Sequence, residues 1–202
     1  RGDVYKRQFR SRVEFLRGLG DEPGGMMMMG MGAPPRVRSA AVFTTLGGIE
    51  NDALFAEALL DRARDLSESP ASETVLLLGH GAGRDEDNRV WLRNLESIAS
   101  QMQDMGAEFA AIRWANWRED WPAHREAAEA EIHALIASEH ALGRTVLVIP
   151  ARTTLQGPEP DQLGQLDSVR IGTGFAPHPL FARWVRDQLD QGAEVLQRAV
   201  EW

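Results

Sequence analysis

The stretch Leu76 to Asn88, LLLGHGAGRDEDN, sets one histidine, His80, among Gly79, Gly81 and Gly83, where an apolar run ends and charge begins. Glycine accepts positive φ and puts no side chain between backbone and ligand, so glycines around an imidazole present the ring rather than bury it. A neutral imidazole suits two tasks near neutral pH, accepting a proton and ligating a metal ion. The competing structural reading is a histidine that only hydrogen-bonds across a tight turn. The chain has no cysteine, which removes disulfides, thiolate metal sites, iron–sulfur clusters and a cysteine nucleophile. Any metal must be held by imidazole, carboxylate or thioether.

What places His80 is read from the pattern around it. Thr74 to Leu78 (TVLLL) is a continuous apolar run, the mark of a strand covered on both faces of a parallel sheet. Asn88 to Met105 carries Val90, Trp91, Leu95, Ile98, Met102 and Met105 on one helical face and meets Gly106. Glu108 to Trp114 is predicted as a strand, Pro122 to Leu142 as a helix with proline in its first turn, and Thr145 to Ile149 as a third strand. Val169 to Ile171 is a short fourth strand and Leu180 to Leu189 a further helix. Upstream, Val37 to Thr45 is predicted as a strand and Asp52 to Leu66 as an amphipathic helix capped by Asn51 or Asp52. Alternation of strand and helix calls for parallel pairing with crossover helices, so the predicted fold is α/β, a three-layer open parallel sheet. In such a sheet ligands bind beyond the carboxyl ends of the strands, which is where His80 falls.

Composition narrows the partners. The 202 residues suffice for one well-packed domain or for one and part of another. A formal charge of −8 disfavours nucleic acid and anionic lipid, and no apolar run approaches the length of a membrane span. The expected location is cytoplasmic. Residues 1–8, RGDVYKRQ, resemble the translated read-through of a sequencing adapter, so the natural N-terminus is expected to lie outside this chain. Arg1-Gly2-Asp3 alone would suggest integrin binding, but a tripeptide matches by chance often. Phe9 to Leu19 has helical spacing and ends at glycine. Asp21 to Pro35 is a Gly, Pro and Met loop whose thioethers could hold Cu(I), with a plain low-complexity loop as the alternative.

Three known patterns fail on the His80 segment. An oxyanion loop of the hydrolase kind needs a Gly-x-Ser-x-Gly elbow, which the chain lacks; a histidine phosphatase needs arginine where Gly79 stands; a phosphate loop needs a following lysine. An apolar strand, Gly-His-Gly, a short acidic stretch and a helix instead resemble the class II tetrapyrrole chelatases, the sirohydrochlorin cobalt- and ferrochelatase group. The resemblance implies two chelatase-like modules, within one full-length chain or as a homodimer. Residues 9–70 would be the rear of an incomplete first module and 71–202 a complete second one. It implies ATP-independent insertion of Co²⁺ or Fe²⁺, the metal being substrate, into a sirohydrochlorin-type ring with no organic cofactor. His80 would then be ligand or base, since inserting a divalent ion displaces two pyrrole protons.

The family's second contributor is a carboxylate after the second strand. In the corresponding NWREDWP, Asn116 to Pro122, Glu119 and Asp120 are the candidates, by region. Trp114, Trp117 and Trp121 either line a flat ligand or pack, and Arg118 either pairs with a ring carboxylate or is solvated. Gly81, Arg118 and Trp121 form the expected substrate site; His80, Glu119 and Asp120 the expected metal donors. The chain departs from the family after the third strand. Gly157-Pro158-Glu159 stands where a second histidine is usual, with Glu159 as an oxygen substitute or a mere loop residue. A degenerate module that binds metal or tetrapyrrole without turnover is the alternative. His124, His133, His140 and His178 are expected to be structural. Leu54-Phe55-Ala56 recurs as Leu180-Phe181-Ala182 at the head of a helix, the trace of an internal duplication. The first-copy counterpart of His80 would precede the first residue.

Overall fold

The computed structural model describes residues 42–154 and 163–200. In chain order these form α1 (Ala53–Leu66), a short 3₁₀ turn (Pro70–Ser72), β1 (Glu73–Gly79), α2 (Asp85–Asp104), β2 (Ala111–Asn116), α3 (Pro122–Ala141), β3 (Thr145–Pro150), β4 (Val169–Ile171) and α4 (Pro179–Val200). The strands make one parallel sheet in the order β2-β1-β3-β4. The chain leaves β1 toward one side to make β2, then crosses back to the other side to make β3. Right-handed crossovers running in opposite directions put α2 and α3 on opposite faces. The gap between them opens beyond the carboxyl ends of β1 and β3.

Each strand side chain chooses a layer by its parity. Val75 and Leu77 of β1 join Ile112 and Ile149 under α1 and α2, against Phe55, Leu59, Leu60, Leu95, Ile98 and Met102. Leu76 and Leu78 join Val146 and Val148 on the other face, under Ile132 and Ile136 of α3 with Trp117 and Leu163. All seven residues of β1 are buried, as a central strand with two covered faces requires. The open three-layer α/β architecture is as predicted.

Several boundaries differ from the sequence reading. Val42–Thr45, expected to be strand, is irregular, and no described strand lies alongside it; the rest of that segment, with Phe9–Leu19 and Asp21–Pro35, lies outside the described residues. The second strand starts at Ala111 rather than Glu108 because the ladder begins only where Thr74 of β1 comes alongside, with the Ala110 N–H donating to the Glu73 carbonyl at 2.9 Å. The last helix runs past Leu189 to Val200, and Gly192 does not end it. Two compact units divide the chain, one spanning Ile49–Trp184, the other holding, among described residues, 42–48 and α4 from Val185. In the latter, a Cβ at Gly192 would touch Leu46 at 3.4 Å, so a small residue accommodates the neighbouring segment. In the former, α1, expected at the rear of a first module, packs beside α2 in the common core.

The repeated Leu-Phe-Ala has a matching local geometry in both copies. Asp52 Oδ1 accepts from the Leu54 N–H at 2.9 Å, and His178 Nδ1 accepts from the Leu180 N–H at 3.2 Å. Each cap therefore satisfies a donor that the first helical turn leaves open. Phe55 and Phe181 then meet Phe175 edge-on, with centroids 4.6 and 4.9 Å away. His178 is thus a cap, in agreement with its structural reading. His133 and His140 are exposed on α3.

Two buried carboxylates anchor the amino ends of the strands, opposite the opening. Glu139 takes hydrogen bonds from the Thr74 hydroxyl (2.8 Å), Arg113 Nε (3.2 Å) and Arg144 Nη1 (2.8 Å). Glu73 takes them from the Ser67 hydroxyl, the Glu68 and Ser69 N–H groups and Arg170. Burial alone would push both carboxyls up, but these donors outweigh it and hold each below its ordinary 4.5. A group whose folded pKa is depressed stabilises the fold above the unfolded value and loses that contribution as pH falls through the folded one. Urea midpoints should therefore hold from neutrality down to about pH 5 and fall below about 4.5. A midpoint flat through that acid window would contradict this assignment.

Candidate functional site

The opening beyond β1 is built by three loops, one after each of the first three strands. Backbone bonds continue the ladder past the sheet and tie the loops together. The Trp117 N–H donates to the Gly79 carbonyl (2.9 Å), Arg118 N–H to His80 (2.8 Å) and Ala151 N–H to Leu78 (2.9 Å). His80 therefore stands on a fixed base, with its side chain 32% exposed.

The glycines around it serve close approach more than mobility. A Cβ at Gly79 would lie 2.4 Å from Asn116 Oδ1, and one at Gly83 2.3 Å from Trp121 Nε1. Gly81 has φ +82° and would also press on Asn116 and Asn88. Asn88 Oδ1 ties this packing together, accepting from Asn116 Nδ2 at 2.9 Å and from the Ala82 N–H at 3.3 Å. Gly83→Ala should displace the Trp121 indole and cost about 1–3 kcal/mol, as overpacking does. Unchanged tryptophan emission and an unchanged melting temperature in that variant would show that the indole does not need this approach.

Arg118 holds the His80 loop from beneath. With φ +58°, it donates from Nε to the Ala82 carbonyl (2.9 Å) and from Nη2 to the Gly83 carbonyl (2.8 Å), and Nη2 lies 2.9 Å from Asp85 Oδ1. That hydrogen bond holds the Asp85 carboxyl below its usual range. Asp85, Glu86 and Asp87 also open α2, where negative charge complements the helix dipole. Arg118 is neither solvated nor idle, since its guanidinium is already spoken for by the loop.

The imidazole faces oxygen on both sides. Nδ1 lies 3.2 Å from the Gly81 carbonyl; Nε2 lies 3.1 Å from Asp120 Oδ2 and 3.6 Å from Glu119 Oε1. Carbonyl and carboxylate oxygens both only accept, so the two contacts compete for the ring proton of a neutral imidazole, and Nε2 is the nitrogen turned toward the two carboxylates. Trp121 stands edge-on to the ring with centroids 5.4 Å apart, and Trp91 lies at 6.3 Å. The three tryptophans of β2 and the loop after it thus divide. Trp117 is buried in the core beneath α3, Trp114 packs partly on the other core, and Trp121 meets His80.

The expected donors His80, Glu119 and Asp120 are together, but unequally available. Asp120 is largely exposed, whereas Glu119 is mostly buried, with Oε1 bound by Arg152 Nη1 and Oε2 without a partner. Donors about 2.0–2.1 Å from a tetrahedral ion stand about 3.3–3.4 Å apart, and the two Nε2 separations bracket that spacing. Among the described residues no group of three or more His, Asp or Glu is arranged to hold a metal ion. The arginine on Glu119 reduces the donors on hand to His80 and Asp120.

Arg152 is the residue that sequence reasoning missed. The third-strand contribution was sought at Glu159, which lies outside the described residues, while Arg152 stands two residues after β3. Its position at a strand's carboxyl end was the available signal. Trp91 and Asn88, read only as parts of a helix, also reach the site. A cavity of about 510 Å³ opens elsewhere along the edge strand β2, between α2 and α3. Trp114, Asn116, Arg118 and His124 line it and His80 does not.

No protein-family model matches the chain. Nor does a curated protein or a solved structure match it. Among the described residues no helix is long and apolar enough to cross a membrane.

Proposed function

We propose that this site takes a divalent cation, Co²⁺ or Fe²⁺, and inserts it into a sirohydrochlorin-type tetrapyrrole in the cytoplasm. The observation that carries the reading is His80 Nε2, presented 3.1 Å from the exposed Asp120 carboxylate at the mouth of the sheet. Insertion exchanges one divalent ion for two pyrrole protons. Either His80 accepts one of those protons and a carboxylate the other, or His80 holds the ion through Nε2 with Asp120 and both protons pass to solvent. Trp121 and Trp91 offer apolar surface to a flat ring, and Gly81 lets the ring approach the backbone. Neither ATP nor an organic cofactor is required. A second module facing this one, in the same full-length chain or in a homodimer, would complete the cleft.

A second reading has its own support. Arg152 on Glu119 leaves two donors for the ion, which suits a module that binds metal or tetrapyrrole without turnover. Mixing the protein with Co²⁺ and sirohydrochlorin and following the ring's absorbance separates the two. Spectral conversion at a rate proportional to protein supports insertion. A shift that saturates at one equivalent supports binding alone. Absence of a protein-dependent change rejects insertion and tetrapyrrole binding, and if calorimetry then shows no bound Co²⁺ both readings fail.

A further inference from the structure

Glu119 is an acid held out of use. Its Oε1 is bound by Arg152 although His80 Nε2 is only 3.6 Å away, and its Oε2 is buried with no partner. A buried carboxylate oxygen without a donor is costly, so a resting state that keeps one needs compensation or a use. Arg152 is part-buried at the lip of the opening, 21% exposed, and its Nε is anchored on the Thr154 carbonyl at 2.9 Å. A carboxylate arriving at that lip would reach the guanidinium where it already pairs with Glu119. Guanidinium and carboxylate pair bidentately, and a ligand carboxylate would compete with Glu119 for the same donors.

We propose that Arg152 is a latch: it withholds Glu119 from the cation until a carboxylate-bearing ligand takes the guanidinium, whereupon Glu119 joins His80 and Asp120 as the third donor. The inference rests on the metal-handling reading above and adds regulation to it. Arg152 is a positioning residue that acts through Glu119. Binding of cation and of anionic ligand then favour each other, because coupling between two sites is reciprocal.

The test is a double-mutant cycle read by Co²⁺ titration, using isothermal calorimetry and the visible absorption of bound Co²⁺. Arg152→Met should bind Co²⁺ about tenfold more tightly than the parent, with stronger visible bands. Combining Glu119→Gln with Arg152→Met should abolish the gain. A zinc-loaded uroporphyrin, polycarboxylate but with its ring nitrogens occupied, should tighten Co²⁺ binding to the parent and leave Arg152→Met unaffected. Arg152→Gln repeats the cycle if the methionine variant does not fold. Equal or weaker Co²⁺ binding without Arg152 overturns the latch, as does a gain that survives Glu119→Gln, which would be charge removal alone. His80→Ala separates this from the parent reading: if it binds Co²⁺ like the parent, the metal site is elsewhere. If neither the parent nor Arg152→Met binds Co²⁺, both ideas fail. If only Arg152→Met binds it, the latch stands.

Discussion

Replacing His80 with alanine is expected to slow Co²⁺ insertion into sirohydrochlorin by at least about a hundredfold, the low end of what a positioned acid or base contributes. Among the described residues the ring is the one group at the opening whose nitrogen can act as base or ligand while its position is fixed by the backbone. Its carbonyl is held by the Arg118 N–H, its Nδ1 by the Gly81 carbonyl, and its edge by Trp121. Asp120 alone is exposed and tethered only by its own short side chain, so it should not replace the imidazole. Since His80 is part-exposed, its loss should leave the melting temperature within about 2–4 °C of the parent. A fall in rate with an intact fold is the expected pair of results. Equal rates in variant and parent would remove His80 from the chemistry, and a large loss of stability would make it a turn residue.

Glu139→Ala is expected to destabilise the fold by about 3 kcal/mol, the largest single effect away from the opening. The carboxylate is 3% exposed and joins the start of β1, β2 and the approach to β3 through Thr74, Arg113 and Arg144. Removing it strands the buried Thr74 hydroxyl and takes a counter-charge from two arginines. Those arginines are 48% and 28% exposed, so water recovers part of their loss, which keeps the figure near the lower end for a broken buried pair. The deficit should shrink as pH falls through the depressed pKa of Glu139, because the parent then loses the same charge. Urea unfolding at neutral and at acid pH measures both effects. A loss under about 1 kcal/mol at neutral pH would mean that Thr74 and the arginines are satisfied without it.

Much of the architecture was legible before any coordinates, and the reason is periodicity. The apolar run TVLLL has the pattern of a strand covered on both sides, and the spacing from Val90 to Met102 that of a helix with one wet face. Proline at the head of α3 and glycines after α2 and α3 marked their ends to within a few residues. His80 was legible too, because three glycines at a strand's end are a local signal of exposed backbone chemistry. Segments whose state depends on a partner were not legible. Val42–Thr45 has strand composition but no described strand beside it, and β2 starts only where β1 offers it a register.

Local pattern alone therefore determined that this chain makes a parallel α/β sheet and offers an imidazole at its carboxyl edge. Tertiary structure decided what surrounds that imidazole. The sequence singles out Arg118 and not Arg152, yet the first folds under the His80 loop and the second pairs with Glu119 beside the imidazole. Adjacent Glu119 and Asp120 differ just as much, one mostly buried and bound, the other exposed. The physical reason is reach: helix and strand are written in spacings of two to four residues, whereas charge pairing at the site joins loops more than thirty residues apart.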